Sequence, residues 1–157
     1  MISLLDNTVL SNFTVVRQPQ LLQIALNGDL AAPEQAYGEL MVGIKTGKLP
    51  DVNWQWLDIW SLREEEISVY QRFLQRLNAG EAACLAIALN RDCRVLTDDR
   101  DAREVARRLQ IPLSGTLGIL ARLVDTQRLT LDEADNLLAE MIASGYRSPI
   151  ASLQPIL

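Results

Sequence analysis

Short apolar runs alternate with longer segments of helical periodicity, and this alternation restricts the fold more than any other feature. The short runs at residues 2–5, 93–97 and 111–114 are predicted to be buried strands. The first helix is predicted to begin with residues 9–13. Further helices are predicted over residues 20–26, 32–45, 64–77, 82–90, 101–109, 117–123 and 131–144. Strands that alternate with helices form parallel sheets covered on both faces. The sequence therefore predicts an α/β fold with a mainly parallel central sheet.

Local signals place the ends of several predicted elements. Pro33 suits the first turn of the helix over residues 32–45. Thr130 is a predicted cap for the last helix, residues 131–144, and Gly145 is its predicted stop. Residues 54–60 alternate like a half-buried strand. With no internal repeat or long linker, the chain is expected to be a single domain, residues 1–157, with the last helix packed on it.

The composition is that of a globular protein without a membrane segment. Hydrophobic residues make up 48% of the chain and charged residues 22%, which is typical of packed domains. The longest wholly apolar run, residues 82–89, is too short to cross a bilayer. Residues 1–12 contain no Lys or Arg, so a signal peptide with a cationic start is not expected. The sequence predicts a cytoplasmic protein.

The chain contains no histidine, which excludes several common kinds of active site. Ser-His and Cys-His nucleophile pairs and imidazole metal ligands are all impossible. Its two cysteines, Cys84 and Cys93, match no zinc-binding spacing. Any metal site must therefore consist of oxygen ligands, which favours Mg²⁺ or Mn²⁺.

Three acidic residues follow predicted strands. Asp6 comes directly after the first strand, and Asp98 and Asp99 follow the strand over residues 93–97. Ligands of parallel sheets collect beyond the carboxyl ends of the strands. These three carboxylates are therefore candidates for one binding site.

Two further acids lie on predicted helices where space or an apolar face surrounds them. Glu81 shares a helical face with Leu85 and Ala88. Glu39 is followed four residues later by Gly43, which would leave room around its carboxylate. Four or five carboxylates in one pocket would repel one another, and a bound divalent cation is the simplest compensation.

Each acid also has an ordinary structural interpretation. Asp6 could be a turn residue or a helix cap, and Asp99 or Asp101 could cap the following helix. Glu81 could lie at the positive end of a helix dipole, and Glu39 could be a solvated surface residue. Only the joint arrangement of these residues favours a site.

The acidic residues lie in four motifs, at residues 4–10 (LLDNTVL), 37–40 (YGEL), 80–88 (GEAACLAIA) and 96–103 (LTDDRDAR), and residues 115–118 (GTLG) follow them. In this order the motifs resemble those of PIN domains, and in particular a bacterial PIN-like subfamily related to the VapC toxins. One departure concerns the third motif, where typical VapC toxins carry Asp and this chain has Glu81. The fourth motif contains two consecutive Asp residues, and either could be its metal ligand. The T-x-D register points to Asp99, whereas direct adjacency to Thr97 points to Asp98.

The resemblance implies a PIN-like three-layer sandwich that cleaves RNA with Mg²⁺ or Mn²⁺, as the toxin-like partner of an antitoxin. It assigns Asp6, Glu81 and Asp99 as metal ligands, with Glu39 and Asp98 completing the catalytic pocket. Thr8 and Thr97 are expected to orient carboxylates or metal-bound waters through their hydroxyls. The alternative is that both are ordinary strand-end residues.

Arginines flank the acidic doublet and are candidates for RNA contacts. Six of the chain's 15 basic residues lie within 18 positions: Arg91, Arg94, Arg100, Arg103, Arg107 and Arg108. Such a cluster is typical of a phosphate-binding surface, and Arg100, Arg103 and Arg107 are the predicted substrate contacts. The alternative is a solvated helix face paired with Asp101 and Glu104.

Two alternatives to a ribonuclease follow from the same residues. The first is a catalytically inactive PIN-like module that binds nucleic acid or protein. The second, a phosphatase or receiver-like domain, requires a Lys near a strand end, and the only lysines, Lys45 and Lys48, lie at a predicted helix end. The resemblance also implies a homodimer, for which the tryptophan-rich residues Trp54, Trp56 and Trp60 would offer apolar surface. The alternative is that these tryptophans are core residues.

Overall fold

The computed structural model describes all 157 residues and contains one five-stranded sheet in which every neighbouring pair is parallel. The strands are β1 Ser3–Leu5, β2 Leu30–Pro33, β3 Asp58–Trp60, β4 Arg94–Leu96 and β5 Leu113–Ser114. Their order across the sheet is β3-β2-β1-β4-β5. The fold is therefore α/β, as the alternation predicts.

Eight helices flank the sheet and complete a three-layer sandwich. They are α1 Asn7–Val15, α2 Gln20–Ala25, α3 Glu34–Lys45, α4 Glu64–Phe73, α5 Ala79–Arg91, α6 Arg100–Arg108, α7 Thr116–Asp125 and α8 Leu131–Ala143. A short 3-10 helix, Gln154–Ile156, ends the chain. No helix is long and apolar enough to span a bilayer.

Adjacent residues of the central strands face opposite cores. Leu5 and Leu96 belong to a core with α1, α2, α7 and α8, whereas Leu4 and Val95 belong to a core with α5 and α6. Side chains of a strand alternate between the two faces of the sheet. Since both faces are covered, these strands have consecutive apolar residues, and β1 is buried along its whole length.

Strand β2 is absent from the sequence prediction, which assigned Ala32 and Pro33 to the start of a helix. In the structure Ala32 and Pro33 end β2, and α3 begins at Glu34 with Pro33 as its N-cap. Two alanines and a proline give little strand propensity. The strand forms because it lies between β1 and β3, where small side chains fit beneath the helices.

The tryptophan-rich segment is only partly a strand. β3 covers its last three residues at the edge of the sheet, whereas Trp54 is 3% exposed and donates a hydrogen bond of 3.1 Å from Nε1 to Thr14 Oγ1. Trp56 packs against Trp54 with a ring-centroid distance of 5.5 Å, and both Trp56 and Trp60 are half-buried. The expectation that Trp54 offers exposed surface is wrong, because it is a core residue. The homodimer stays a prediction.

A buried ion pair joins α4 to α5. Glu66 is 1% exposed and accepts hydrogen bonds of 2.8 Å from both Nε and Nη2 of Arg91. The guanidinium lies 5.0 Å from the Trp60 ring centre, so it also contacts the edge strand. Burial alone would raise the pKa of Glu66, but hydrogen bonds from Arg91, the Arg63 amide and Asn90 lower that pKa to about 2. Arg91 is therefore a structural residue whose charge is compensated by Glu66, and the RNA-binding role of the arginine cluster stays a prediction.

We expect Glu66→Ala to lower the free energy of unfolding by about 3 kcal/mol, because Arg91 would lose its partner while partly buried. A carboxyl group whose pKa falls on folding stabilises the protein above its unfolded pKa, and this contribution disappears as pH falls. The difference between wild type and variant should therefore shrink between about pH 4.5 and pH 2. Urea denaturation at pH 7 and pH 3 measures both effects.

The matched control is Glu65→Ala, since Glu65 is an exposed residue in the same turn of α4. Its effect should stay within about 0.5 kcal/mol at both pH values. Equal losses for the two variants would show that the buried ion pair contributes nothing specific.

Candidate active site

The carboxyl ends of β1 and β4 bring Asp6 together with Thr97. The two strands pair with Leu5 opposite Leu96, and the Asp6 amide donates to Leu96 O at 3.0 Å. The side chain of Asp6 is fully buried and accepts hydrogen bonds from Thr97 Oγ1 at 2.8 Å and Thr8 Oγ1 at 3.2 Å. It also caps α1 through the Asn7 amide at 2.6 Å. Asp6 is thus both a helix cap and a member of the predicted cluster.

Glu39 reaches the same place from α3 because Gly80 leaves space for it. The Gly80 amide donates to Glu39 Oε1 at 2.8 Å. A Cβ atom at Gly80 would lie 2.6 Å from this oxygen and 3.2 Å from Asp6 Oδ1. Gly43, predicted to make this room, instead faces Leu49, whose Cδ1 would lie 2.8 Å from an added Cβ. Gly80, which begins the third motif, is the glycine that the site requires.

Glu81 is buried at the first turn of α5 and takes part in a capping box with Asn78. Glu81 accepts hydrogen bonds from the Asn78 amide at 3.2 Å and from Asn78 Nδ2 at 2.9 Å, and the Glu81 amide donates to Asn78 Oδ1 at 2.9 Å. The helix-end interpretation of Glu81 is therefore confirmed, and it coexists with a place beside the other acids.

The electrostatics of these carboxylates reflect burial without a compensating positive charge. Desolvation raises the pKa of Asp6 to about 6, although hydrogen bonds from Thr97 and Asn7 counteract it and the charge of Glu39 adds to it. Desolvation and then the charges of Asp6 and Asp99 raise the pKa of Glu81 to about 7. The pKa of Glu39 is raised by burial as well. The pocket therefore favours binding of positive charge.

The two residues of the Asp doublet point to different partners. Asp98 accepts from the Thr116 amide at 2.9 Å, from the Thr116 hydroxyl and from Asn12 Nδ2 at 3.1 Å, so it faces the end of β5. Asp99 caps α6 through the Ala102 amide at 2.9 Å. Because the charge of Asp99 raises the pKa of Glu81, Asp99 is the member of the doublet that acts on the acidic pocket.

Residues 2–157 match the family model DUF3368, which describes a PIN domain. The chain belongs to the PIN-domain family. PIN domains are generally nucleases, act on nucleic acids and typically use divalent metal ions. No curated protein and no solved structure matches the chain. The family predicted from the four motifs is confirmed, and the acidic pocket lies where those motifs meet.

The donor atoms of this PIN domain fit a hard divalent cation in kind, though they do not yet converge. All of them are carboxylate oxygens, Asp6 is fully buried, and burial together with the charges of neighbouring carboxylates raises the pKa of Asp6 and of Glu81. No three acidic side chains lie close enough to hold one ion as they stand. Glu81 and Asp99 are turned towards the Asn78 and Ala102 amides, which satisfy their helix-capping bonds.

Two threonines fix the orientation of the central carboxylate. The Asp99 amide donates to Thr97 Oγ1 at 3.2 Å, and the Asp98 amide donates to Thr8 Oγ1 at 2.9 Å. Each hydroxyl is therefore an acceptor on one side and donates its proton to Asp6 on the other. This arrangement matches the orienting role predicted for Thr8 and Thr97.

The arginines of α6 divide into anchored and unpaired residues. Arg103 donates from Nη1 to Thr97 O at 2.8 Å and Ser114 O at 3.1 Å, and Arg108 pairs with Glu104. Asp101 and Glu104 also pair with Arg76 of the turn after α4. Arg100 and Arg107 are exposed and form no ion pair, so they are the α6 residues whose charges remain available to a ligand.

Sequence reasoning missed Asn12, and it quoted Gly80 and Thr116 within motifs without giving either a role at the site. Asn12 Nδ2 donates to both Asp98 and Thr116 Oγ1, each at 3.1 Å, and so links α1 to α7 beneath the doublet. Thr116 follows the end of β5, which is the position that identified Asp6 after β1. The same strand-end rule would have found Thr116, and the third motif contains Gly80, whereas Asn12 has no local signal.

We expect Asp6→Asn to raise the melting temperature in EDTA at pH 8, by roughly 2–4 °C for about 1 kcal/mol. A carboxyl group whose pKa rises on folding, here from 3.8 to about 6, destabilises the folded protein once pH exceeds the lower value. The advantage of Asn should therefore shrink as pH falls from 8 to 5. Mg²⁺ or Mn²⁺ should stabilise wild type by mass action and the variant much less.

Asp51→Asn is the matched control, since it removes the same charge from an exposed position without a side-chain hydrogen bond to the pocket. It should melt like wild type in EDTA and with metal. If Asp6→Asn leaves the melting temperature unchanged or lowers it, and metal shifts the melting temperature of neither protein, Asp6 is only a helix cap.

Proposed function

We propose that this PIN domain is a Mg²⁺- or Mn²⁺-dependent endoribonuclease. The observation that carries the proposal is the close approach of Asp6 and Glu39 at Gly80, with the buried Glu81 as the next residue, beyond the carboxyl end of the sheet. Asp6 and Glu81 are buried, the charge of Glu39 adds to the raised pKa of both, and a hard cation is the ligand that would relieve this repulsion.

Asp6, Glu81 and Asp99 are the proposed metal ligands, and Glu39 and Asp98 complete the pocket. An ion bound there supplies Lewis-acid stabilisation of the charge that develops on a phosphodiester during hydrolysis. Thr8 and Thr97 hold Asp6 in one orientation, so that its carboxylate does not reorganise on binding. Arg100 and Arg107 attract the RNA backbone, and Arg103 keeps the doublet and the end of β5 together.

An inactive nucleic-acid- or protein-binding module is the second candidate. It is favoured by the capping hydrogen bonds of Glu81 and Asp99, which turn both carboxylates away from a shared ion. Under this alternative the acids serve only helix ends, and the arginine surface alone binds the partner.

Cleavage of RNA by the purified protein separates the two candidates. We expect Mg²⁺ or Mn²⁺ to support cleavage and EDTA to stop it, as followed on labelled RNA by gel electrophoresis. Asp6→Ala and Glu81→Gln should each reduce the rate by about 100-fold or more, because even partners of metal ligands cost 10–100-fold. Circular dichroism should show that both variants remain folded.

Glu133→Gln is the matched control for Glu81→Gln. Glu133 occupies the same capping-box position at the start of α8, but it is exposed and has no acidic pocket around it. It should cleave RNA like wild type. Full activity in Glu81→Gln, or no cleavage with either metal, would favour the inactive module.

We further propose that the chain acts as the toxin-like partner of an antitoxin, on the ground of its four motifs. Induced expression of wild type in a bacterial host should arrest growth, and Asp6→Ala should not, because the toxicity would depend on RNA cleavage. Growth curves with matched expression levels measure this. Normal growth with an active wild-type protein would remove the toxin role and leave the ribonuclease.

A further inference from the structure

A pocket of about 590 Å³ lies beside the acidic site, between α6 and the segment that follows α8. Asp98 and the side chains of Arg100, Arg103, Arg107, Tyr146 and Arg147 are among its lining residues. Asp98, Arg100, Tyr146 and Arg147 also line a neighbouring hollow that contains Thr8 and Asp99. The pocket is therefore next to a hollow that reaches the Asp98-Asp99 doublet, and its volume is that of a small-ligand site.

The wall opposite α6 is built by the way α8 ends. Gly145 adopts a φ of +114°, and the Tyr146 amide donates to Met141 O at 3.0 Å while the Gly145 amide donates to Ile142 O at 3.0 Å. These two bonds form the Schellman motif, in which glycine turns the chain back across the helix end. The turn directs Tyr146 against the core on one side and the pocket on the other.

The segment beyond Tyr146 is held in place by α8 itself. Asp135 accepts hydrogen bonds of 2.8 Å from the Ser152 hydroxyl and from the Leu153 amide. Leu153 is fully buried in the same core that Tyr146 contacts. The wall formed by Tyr146 and Arg147 is therefore anchored at both ends.

The pocket carries positive charge that no acidic residue compensates. Arg100, Arg107 and Arg147 form no ion pair, and the single carboxylate among the lining residues, Asp98, already accepts hydrogen bonds from Thr116 and Asn12. Leu113 and Leu117 add apolar surface next to Tyr146. Burial and then the charge of Asp98 raise the pKa of Tyr146 to about 12, so its ring stays neutral.

We propose that this pocket binds one unpaired nucleotide of the RNA next to the scissile bond, with its phosphate at Arg107 and Arg147 and its base against Tyr146. Unpaired bases stack on aromatic side chains, and unpaired arginines bind phosphate. The proposal rests on the proposed ribonuclease function and adds to it a subsite for one nucleotide that is lined in part by residues outside the four motifs. Tyr146 and Arg147, which lie outside the four motifs, become determinants of substrate binding.

Binding of a fluorescently labelled single-stranded oligoribonucleotide, measured by anisotropy in EDTA, tests the pocket without cleavage. Arg107→Ala should weaken binding about fivefold and reduce the slope of log affinity against log salt by about 1. Arg72→Ala is the matched control, because Arg72 is an exposed arginine in the last turn of α4 that lies outside the pocket. It should bind like wild type.

Tyr146→Leu should weaken binding about tenfold through lost stacking, whereas Tyr146→Phe should retain the affinity. A nucleoside monophosphate should displace the labelled RNA from wild type at lower concentration than inorganic phosphate does, and Tyr146→Leu should remove this difference. Near-ultraviolet circular dichroism should show that each variant is folded.

The proposed nucleotide-binding role of the pocket is contradicted if Arg107→Ala and Tyr146→Leu both bind the oligoribonucleotide as tightly as wild type does. It is also contradicted if wild type does not bind the oligoribonucleotide. Weaker binding by these variants supports it even if Glu81→Gln still cleaves RNA, a result that would overturn only the acidic-site assignment. If cleavage depends on Glu81 but the pocket variants keep wild-type binding and wild-type KM, only the nucleotide-binding role of the pocket is contradicted. The ribonuclease proposal then stands.

Discussion

The parallel pairing of β1 with β4 determines where the rest of the site lies. Because Leu5 is opposite Leu96, the next residues of both strands, Asp6 and Thr97, leave the sheet at one edge and meet through a 2.8 Å hydrogen bond. Helices cover both faces, so Asp6 has no contact with solvent. The approach of α5 then places Gly80 against Asp6, which leaves space for Glu39. A buried carboxylate and its acidic neighbours thus follow from how two strands pair.

Two buried glutamates show how local charge gives one residue type opposite properties. Burial tends to raise the pKa of both, but the Arg91 guanidinium and further hydrogen bonds bring that of Glu66 down to about 2. Glu81 has no guanidinium and lies near Asp6 and Asp99, so its pKa rises to about 7. Arg103, the anchored arginine of α6, donates to the carbonyl oxygens of Thr97 and Ser114 on the Asp98 side. Glu66 stabilises the fold, whereas Glu81 retains an unmet preference for positive charge.

The sequence predicts the elements that have strong local signals, but it does not predict those that depend on contacts with neighbouring elements. Three strands, the helices and the cap at Thr130 are where apolar periodicity and capping residues predict them. β2 was missed because Ala31, Ala32 and Pro33 have low strand propensity, and pairing on both sides outweighs it. Trp54 was assigned to a strand surface, yet its ring is buried through a contact with Thr14, forty positions earlier. Such burial depends on contacts that sequence spacing does not reveal.

The sequence by itself determined the α/β class, the absence of imidazole chemistry and the set of acidic residues, because periodicity, composition and strand ends are local properties. Only the tertiary structure decided how these acids differ: Asp99 acts on Glu81, Asp98 binds Thr116, and Gly80 rather than Gly43 makes room for Glu39. It also brought Tyr146 beside the arginines of α6, although more than thirty positions separate them along the chain. Desolvation and repulsion depend on distances in space, which only packing of the elements sets.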